Sequence, residues 1–185
     1  MITRTITGEF KTRDSDNDEK IIEGYFSVFN KPYHIAKDAI ETVAPGAFDG
    51  ALDDDIRALT NHDTRLVLGR NKADTLELRQ DEIGLWGRIY INPNDTDAMN
   101  TYERVKRGDV SQCSFGFDIL DEETEFLDDG SIHWTIKSAK LYEVSVVTFP
   151  AYEDTSVSTR ANEASKLRER KEWQARMFTK LMGVN

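Results

Sequence analysis

Two places in this chain interrupt strand-like sequence with groups able to take a proton or attack a carbonyl. One is Asn61-His62-Asp63, which follows Ile56-Arg57-Ala58-Leu59-Thr60; the other is Gln112-Cys113-Ser114, which runs into Phe115-Gly116-Phe117. A serine hydroxyl is a weak nucleophile until a base within hydrogen-bond reach draws off its proton, and imidazole is the side chain whose unperturbed pKa suits that work near neutrality. Together Ser114 and His62 carry the parts of a hydrolase, above all one of the serine-protease kind. A third residue is Glu143, the only charge in Leu141-Tyr142-Glu143-Val144-Ser145-Val146-Val147. An ionised carboxylate on an apolar strand is costly to desolvate unless it is paired, which leaves two roles open for it, a structural ion pair or a site carboxylate. The order histidine, serine, acid is one of several that converge on the same geometry, so spacing alone does not choose between these roles.

Period-two alternation separates the two candidate nucleophiles. Cys113, Phe115, Phe117 and Ile119 fall on one face, and Gln112, Ser114, Gly116 and Asp118 on the other. Cys113 is therefore expected in the core, as a small buried hydrophobe, and Ser114 opposite it beside a glycine that leaves the approach to its hydroxyl open. His34 lies in a loop-like stretch and His133 in a short strand, where surface and edge roles are expected. A metal centre needs three or four converging ligands at recognisable spacing, and none is present, so neither metal nor cofactor is expected.

The elements that must position these groups read as a mostly β body with helices inserted, an α+β chain. Residues 2–10 and 20–29 read as strands forming a hairpin across Asp14-Ser15-Asp16-Asn17-Asp18. Pro45-Gly46-Ala47-Phe48 opens a short helix ending before Asp53, and residues 56–60 extend toward His62. The clearest hairpin has Leu76 and Leu78 alternating with polar residues, a turn at residues 80–84, and Leu85, Trp86, Ile89 and Ile91 on the returning strand. Asn94 and Asp95 are cap-type residues before a helix with Ala98, Tyr102 and Val105 at helical spacing, stopped by Gly108 behind Lys106 and Arg107. An acidic loop, residues 121–130, precedes another expected hairpin made of residues 131–137 and 139–151. Residues 161–182 read as a charged helix with Trp173, Met177, Phe178, Leu181 and Met182 on one stripe.

Composition bounds the whole. With 185 residues, 38% of them hydrophobic, and four prolines, one well-filled core is the expectation. A net charge of −10 opposes binding to nucleic acid or anionic membrane, so the partner is expected to be protein. Residues 161–185 carry six Lys/Arg against three Asp/Glu, which leaves residues 1–160 near −13 and the tail near +3. We accordingly divide the chain into a body, 1–160, and a basic amphipathic helical tail, 161–185. A single cysteine excludes an intrachain disulfide framework, and no apolar run approaches signal-peptide or membrane-span length; the chain reads as soluble and cytosolic.

Several motifs occur in order: GYFSVFN, APGAFDGAL ahead of IRALTNHD, VLGR, TLELRQDEIGLWGR, KRGDVSQCSFGF and LYEVSVVTFPAYEDT. In these, over roughly residues 3–158, the chain resembles the prohead (procapsid maturation) proteases of tailed bacteriophages. That family resembles the herpesvirus assembly proteases in fold, which implies a closed, mostly antiparallel β-barrel surrounded by helices. The resemblance matches the family's histidine base to His62 and its serine nucleophile to Ser114. It also implies an acid on the Glu-Val-Ser strand, here Glu143, where the herpesvirus enzymes use a second histidine. The herpesvirus pattern places an arginine-bearing segment after the third residue; Thr148-Phe149-Pro150-Ala151 lacks one, so the oxyanion donors stay unassigned.

The implied substrate is the scaffolding segment of the phage major capsid protein, and also the protease itself, cleaved inside the assembling prohead in the bacterial host cytoplasm. A homodimer is implied by analogy with the herpesvirus enzymes. Two alternatives remain: a non-catalytic capsid assembly module on the same barrel, and a cysteine- or metal-dependent hydrolase.

Overall fold

The computed structural model describes residues 1–7, 10–14, 19–149 and 155–181. In chain order the elements are β1 (Ile2–Thr7), β2 (Lys11–Asp14), β3 (Lys20–Val28), β4 (Tyr33–Ala36), β5 (Ala39–Val43), β6 (Arg57–Thr60), β7 (Asp63–Arg70), β8 (Leu76–Gln80), β9 (Gly84–Ile91), α1 (Thr96–Arg107), β10 (Gln112–Phe126), β11 (Ile132–Val147) and α2 (Thr155–Leu181). Mainly β with helices is thus the class, as the alternating segments imply. No helix among the described residues is long and apolar enough to cross a membrane.

The strands form two sheets. A seven-stranded sheet runs β1-β10-β11-β5-β4, with β6 also beside β11 and β7 beside β6; a four-stranded antiparallel sheet runs β2-β3-β9-β8. Among the described residues no ladder joins them, so the expected closed barrel is replaced by two open sheets. One edge of β11 is shared in parallel pairing by β5 at residues 132–136 and β6 at residues 143–146. Apolar side chains from both sheets, among them Ile22, Phe26, Ile89, Phe115 and Val144, instead share one core.

Three local expectations change. The strand at the N-terminus pairs with β10, while the hairpin across the acidic turn joins β2 to β3, Lys11 opposite Glu23 through Asp14 opposite Lys20. The acidic segment is largely strand: β10 continues through Phe126 and meets β11, a single 16-residue strand, in one long hairpin. The acidic side chains Glu123 and Glu125 stand exposed on this arm, which is why their polarity resembles that of a loop. Finally, the segment opened by Pro45 is a run of turns ending in one 3-10 turn, Ala51–Asp53.

Other expectations hold. The β8–β9 hairpin pairs Leu76 with Ile89 through Gln80 with Leu85. Helix α1 is capped by the Asp95 carboxylate, which accepts from the Asp97 and Ala98 amides, and stopped by Gly108 at φ 87°, a left-handed cap that glycine adopts without a Cβ penalty. Its buried face is Ala98, Thr101, Tyr102 and Val105. Thr101 Oγ1 lies 3.1 Å from Thr60 Oγ1, which ties α1 to the last residue of β6.

Helix α2 begins before the expected tail, so the boundary drawn between residues 160 and 161 falls inside it. Its first half is fixed to the body. Ala164 is fully buried with Ile35, Ala39, Ile132 and Trp134, and the Arg160 guanidinium lies 4.4 Å from the Trp134 ring centre. Arg160 also pairs with Glu122 and with Glu41, which is fully buried and in turn holds Arg4 at 2.5 Å. On the second half, Trp173, Met177 and Phe178 are exposed; the side chain of Leu181 and residue Met182 lie outside the described residues.

Candidate active site

Strand register brings the predicted site residues to one sheet face. On β10 and β11, Ser114 stands opposite Ser145 and Gly116 opposite Glu143. Side chains of directly opposed residues project to the same face, so Ser114, Glu143 and Ser145 share it. On the other side of β11, β6 runs parallel, and the Asn61 amide donates to the Val146 carbonyl at 2.9 Å. Thr60 then pairs with Asp63, leaving Asn61 and His62 as a two-residue turn with φ of 52° and 59°. Positive φ at both central positions is the backbone of a type I′ hairpin turn, where glycine is the usual second residue. Histidine there carries roughly 1–2 kcal/mol of left-handed strain.

That strain aims the imidazole back over the sheet. His62 Nδ1 is 2.7 Å from Glu143 Oε1, and the His62 backbone amide donates to Ser145 Oγ at 3.3 Å. Ser145 in turn donates to Glu143 Oε2 at 2.5 Å. Asn61 is clamped independently, its carboxamide oxygen accepting from the Thr148 amide at 2.8 Å and its nitrogen donating to the Thr148 hydroxyl at 3.3 Å. The lone charge of the apolar strand therefore has its partners. Glu143 is only 5% exposed, with His62 on one oxygen and Ser145 on the other.

With Glu143 accepting from Nδ1–H, the imidazole presents Nε2 as its free base. Nε2 is buried and makes no hydrogen bond. Buried polar atoms without partners are uncommon in native structures, and one at the tip of an oriented histidine marks a place where a proton can be received. Ser114 is fully buried, and its hydroxyl donates to the Arg4 carbonyl on β1 at 2.9 Å.

Gly116 serves a different purpose from the open approach expected of it. A Cβ at this position would lie 2.4 Å from Glu143 Oε1 and 2.9 Å from Met1 Sδ. The missing side chain makes room for the carboxylate to lie along the sheet toward His62. Cys113 sits on the opposite, core face, fully buried, with Sγ 2.8 Å from the Tyr25 carbonyl. Burial pushes its thiol up to about 12, far from nucleophilic at neutral pH. Asp63 turns away from the site to Arg65, whose guanidinium holds its carboxyl down at about 2. His34 is exposed, and His133 Nε2 is 2.8 Å from Thr42 Oγ1, both away from these residues. Ser145 and the Arg4 carbonyl were not singled out from the sequence, and Asn61 was named only as part of the Asn61-His62-Asp63 run. The Glu-x-Ser spacing on a strand was the available signal for Ser145, since it places both side chains on one face.

Residues 8–170 match the caudovirus prohead serine protease family, most of the chain. The chain belongs to that family. Among its prohead protease relatives, that of Enterobacteria phage HK97 is 33% identical over 147 residues, covering 77% of this chain and 61% of the relative. The prohead protease of Escherichia phage T5 is 33% identical over 98 residues, covering 53% and 42% respectively. The chain thus spans about three-fifths of the first relative's length and two-fifths of the second's. The solved structure of the bacteriophage T4 capsid assembly protease, gp21, is similar in fold, with a TM-score of 0.52 at 10% identity over 79% of this chain and 96% of that one. Three of the motifs that carry the sequence resemblance also build this face: IRALTNHD as β6 with its turn, KRGDVSQCSFGF as the start of β10, and LYEVSVV as the end of β11.

Proposed function

We propose that the chain is a serine endopeptidase that cleaves the scaffolding segment of a phage major capsid protein, and itself, inside the assembling prohead in the bacterial cytoplasm. The observation that carries this reading is the Glu143–His62 hydrogen bond on the sheet face that also holds Ser114, in a chain of the prohead serine protease family. Ser114 rotates from the Arg4 carbonyl to His62 Nε2, gives up its proton there, and attacks the scissile carbonyl; His62 returns the proton to the leaving amine. Glu143 keeps the proton of the neutral imidazole on Nδ1 and stabilises the imidazolium that forms. Apo active sites commonly hold such contacts loosely until substrate arrives, so the hydroxyl's bond to Arg4 is a ground state that catalysis leaves.

Incubation with the capsid protein precursor tests this reading. Wild type is expected to release the scaffolding segment, and Ser114→Ala and His62→Ala are expected to leave it intact. A wild type that is inert, or as active as Ser114→Ala, would instead favour a non-catalytic assembly module. Self-cleavage and a homodimeric state belong to the same proposal, read by intact-mass spectrometry and by sedimentation. An acidic body fits work in a shell not yet filled with DNA, since its charge repels phosphate.

A further inference from the structure

We infer that Ser145 is a positioning residue of this site, a fourth member that fixes both the Glu143 carboxylate and the His62 backbone; the inference rests on the serine-peptidase reading above. Ser145 is fully buried. Its one hydroxyl proton goes to Glu143 Oε2 at 2.5 Å and its oxygen accepts the His62 amide at 3.3 Å. Both sides of the base are therefore referred to one atom. The carboxylate that orients the imidazole and the amide of the residue bearing it are held against each other by a hydroxyl on a central strand.

The surroundings say why such a device is needed. His62 is the second residue of a two-residue turn with positive φ at both positions, a conformation that histidine does not hold by its own preference. Asn61 is fixed through Thr148, but this clamp stops one residue short of the base. Without Ser145, the His62 amide loses its acceptor, and Glu143 loses the donor that prevents it from rotating its two oxygens past Nδ1. A carboxylate free to turn holds the imidazole less firmly, and this changed hold on imidazolium alters where the base gives up its proton. Ser145 also stands directly opposite Ser114 in the ladder, so the device sits beside the nucleophile and not at the rim of the site.

The experiment is the rate at which a fluorophosphonate probe phosphonylates the full chain between pH 5 and 9, which reads activation of the serine by its base without a capsid substrate. Ser145→Ala is expected to fold, to react about 10- to 100-fold more slowly than wild type at the plateau, and to show an acid limb displaced from that of wild type. Ser145→Thr, which keeps the hydroxyl, is expected to recover most of the rate and the original limb. A folded Ser145→Ala with wild-type rate and pH profile would overturn the inference, as would a slowed variant whose profile is unmoved and which Ser145→Thr fails to rescue. Ser114→Ala run alongside separates the two claims. If it is labelled like wild type, the peptidase reading fails and Ser145 falls with it; if it is unlabelled while Ser145→Ala is unaffected, only the positioning role fails.

Discussion

Two contacts and a left-handed backbone orient the His62 imidazole. The carboxylate of Glu143 lies on Nδ1, so in the proposed mechanism the proton of the neutral ring stays there and Nε2 is the base. Glu143→Gln places an amide where the acceptor stood and admits the wrong tautomer. In the serine-protease precedent the equivalent change lowers turnover about 10⁴-fold with geometry intact. We expect a loss of that order in kcat for capsid-precursor cleavage, with an unchanged circular dichroism spectrum; a loss below tenfold would remove Glu143 from the mechanism. Cys113 provides a second check at this scale. Its thiol is buried and held at about 12, so the thiolate fraction of the folded protein at pH 8 is small. Iodoacetamide should modify Cys113 only after denaturation, and rapid alkylation of the native protein would place it outside the core. Alternation in the sequence already separated Cys113 from Ser114, because a period of two is local. It did not reveal that the Ser114 face is covered too, by Glu143 and Met1 over Gly116, since that cover comes from segments distant in the chain.

Elements rather than single residues determine whether the face assembles. Glu143 reaches His62 only because β6 runs parallel to the end of β11, a pairing between residues 57–60 and 143–146 that no local pattern announces. The hairpins were legible where turn and strand lie together, as in β8–β9, and were misread where polarity stood in for conformation, as in the exposed acidic arm of β10. Gly116 tests the packing of β10 on β11. Gly116→Ala forces a methyl into the space of the Glu143 carboxylate, and overpacking of this kind costs about 1–3 kcal/mol. We expect a lower Tm together with a fall in probe-labelling rate, because the atom displaced is the one that holds His62; a variant with wild-type rate would mean that the carboxylate has room elsewhere. Another element-level test lies at α2, where Glu41 is fully buried between Arg4 and Arg160. Losing Arg160 takes one of the two cations from Glu41, which keeps its bidentate Arg4, so the cost is that of a lost charged hydrogen bond, about 1–3 kcal/mol. Arg160→Met should lower the stability in urea by that order, and a loss under about 1 kcal/mol would show that Arg4 alone satisfies Glu41.

At the scale of the molecule, two open sheets around one core support the site at the end where β6, β10 and β11 meet, and α2 is fastened at a separate place by its first half. The expected barrel rests on a family analogy; among the described strands no closed barrel is found, and β11 shares one edge between β5 and β6. The chain's charge reversal marks a helix whose far half is exposed, with Trp173 and Phe178 unburied. Truncation after Lys171 keeps Arg160, Ala164, Arg168 and the Lys171 contact with the Phe126 ring and should leave Tm and probe labelling unchanged while reducing incorporation into proheads; unaltered incorporation would free this half from a docking role. The central claim is that Ser114 is the nucleophile activated by His62 and Glu143. Its most direct test is peptide mass spectrometry of the fluorophosphonate-treated protein. The account predicts one adduct, on Ser114, absent from His62→Ala. An adduct on another residue, or capsid-precursor cleavage retained by Ser114→Ala, would contradict it.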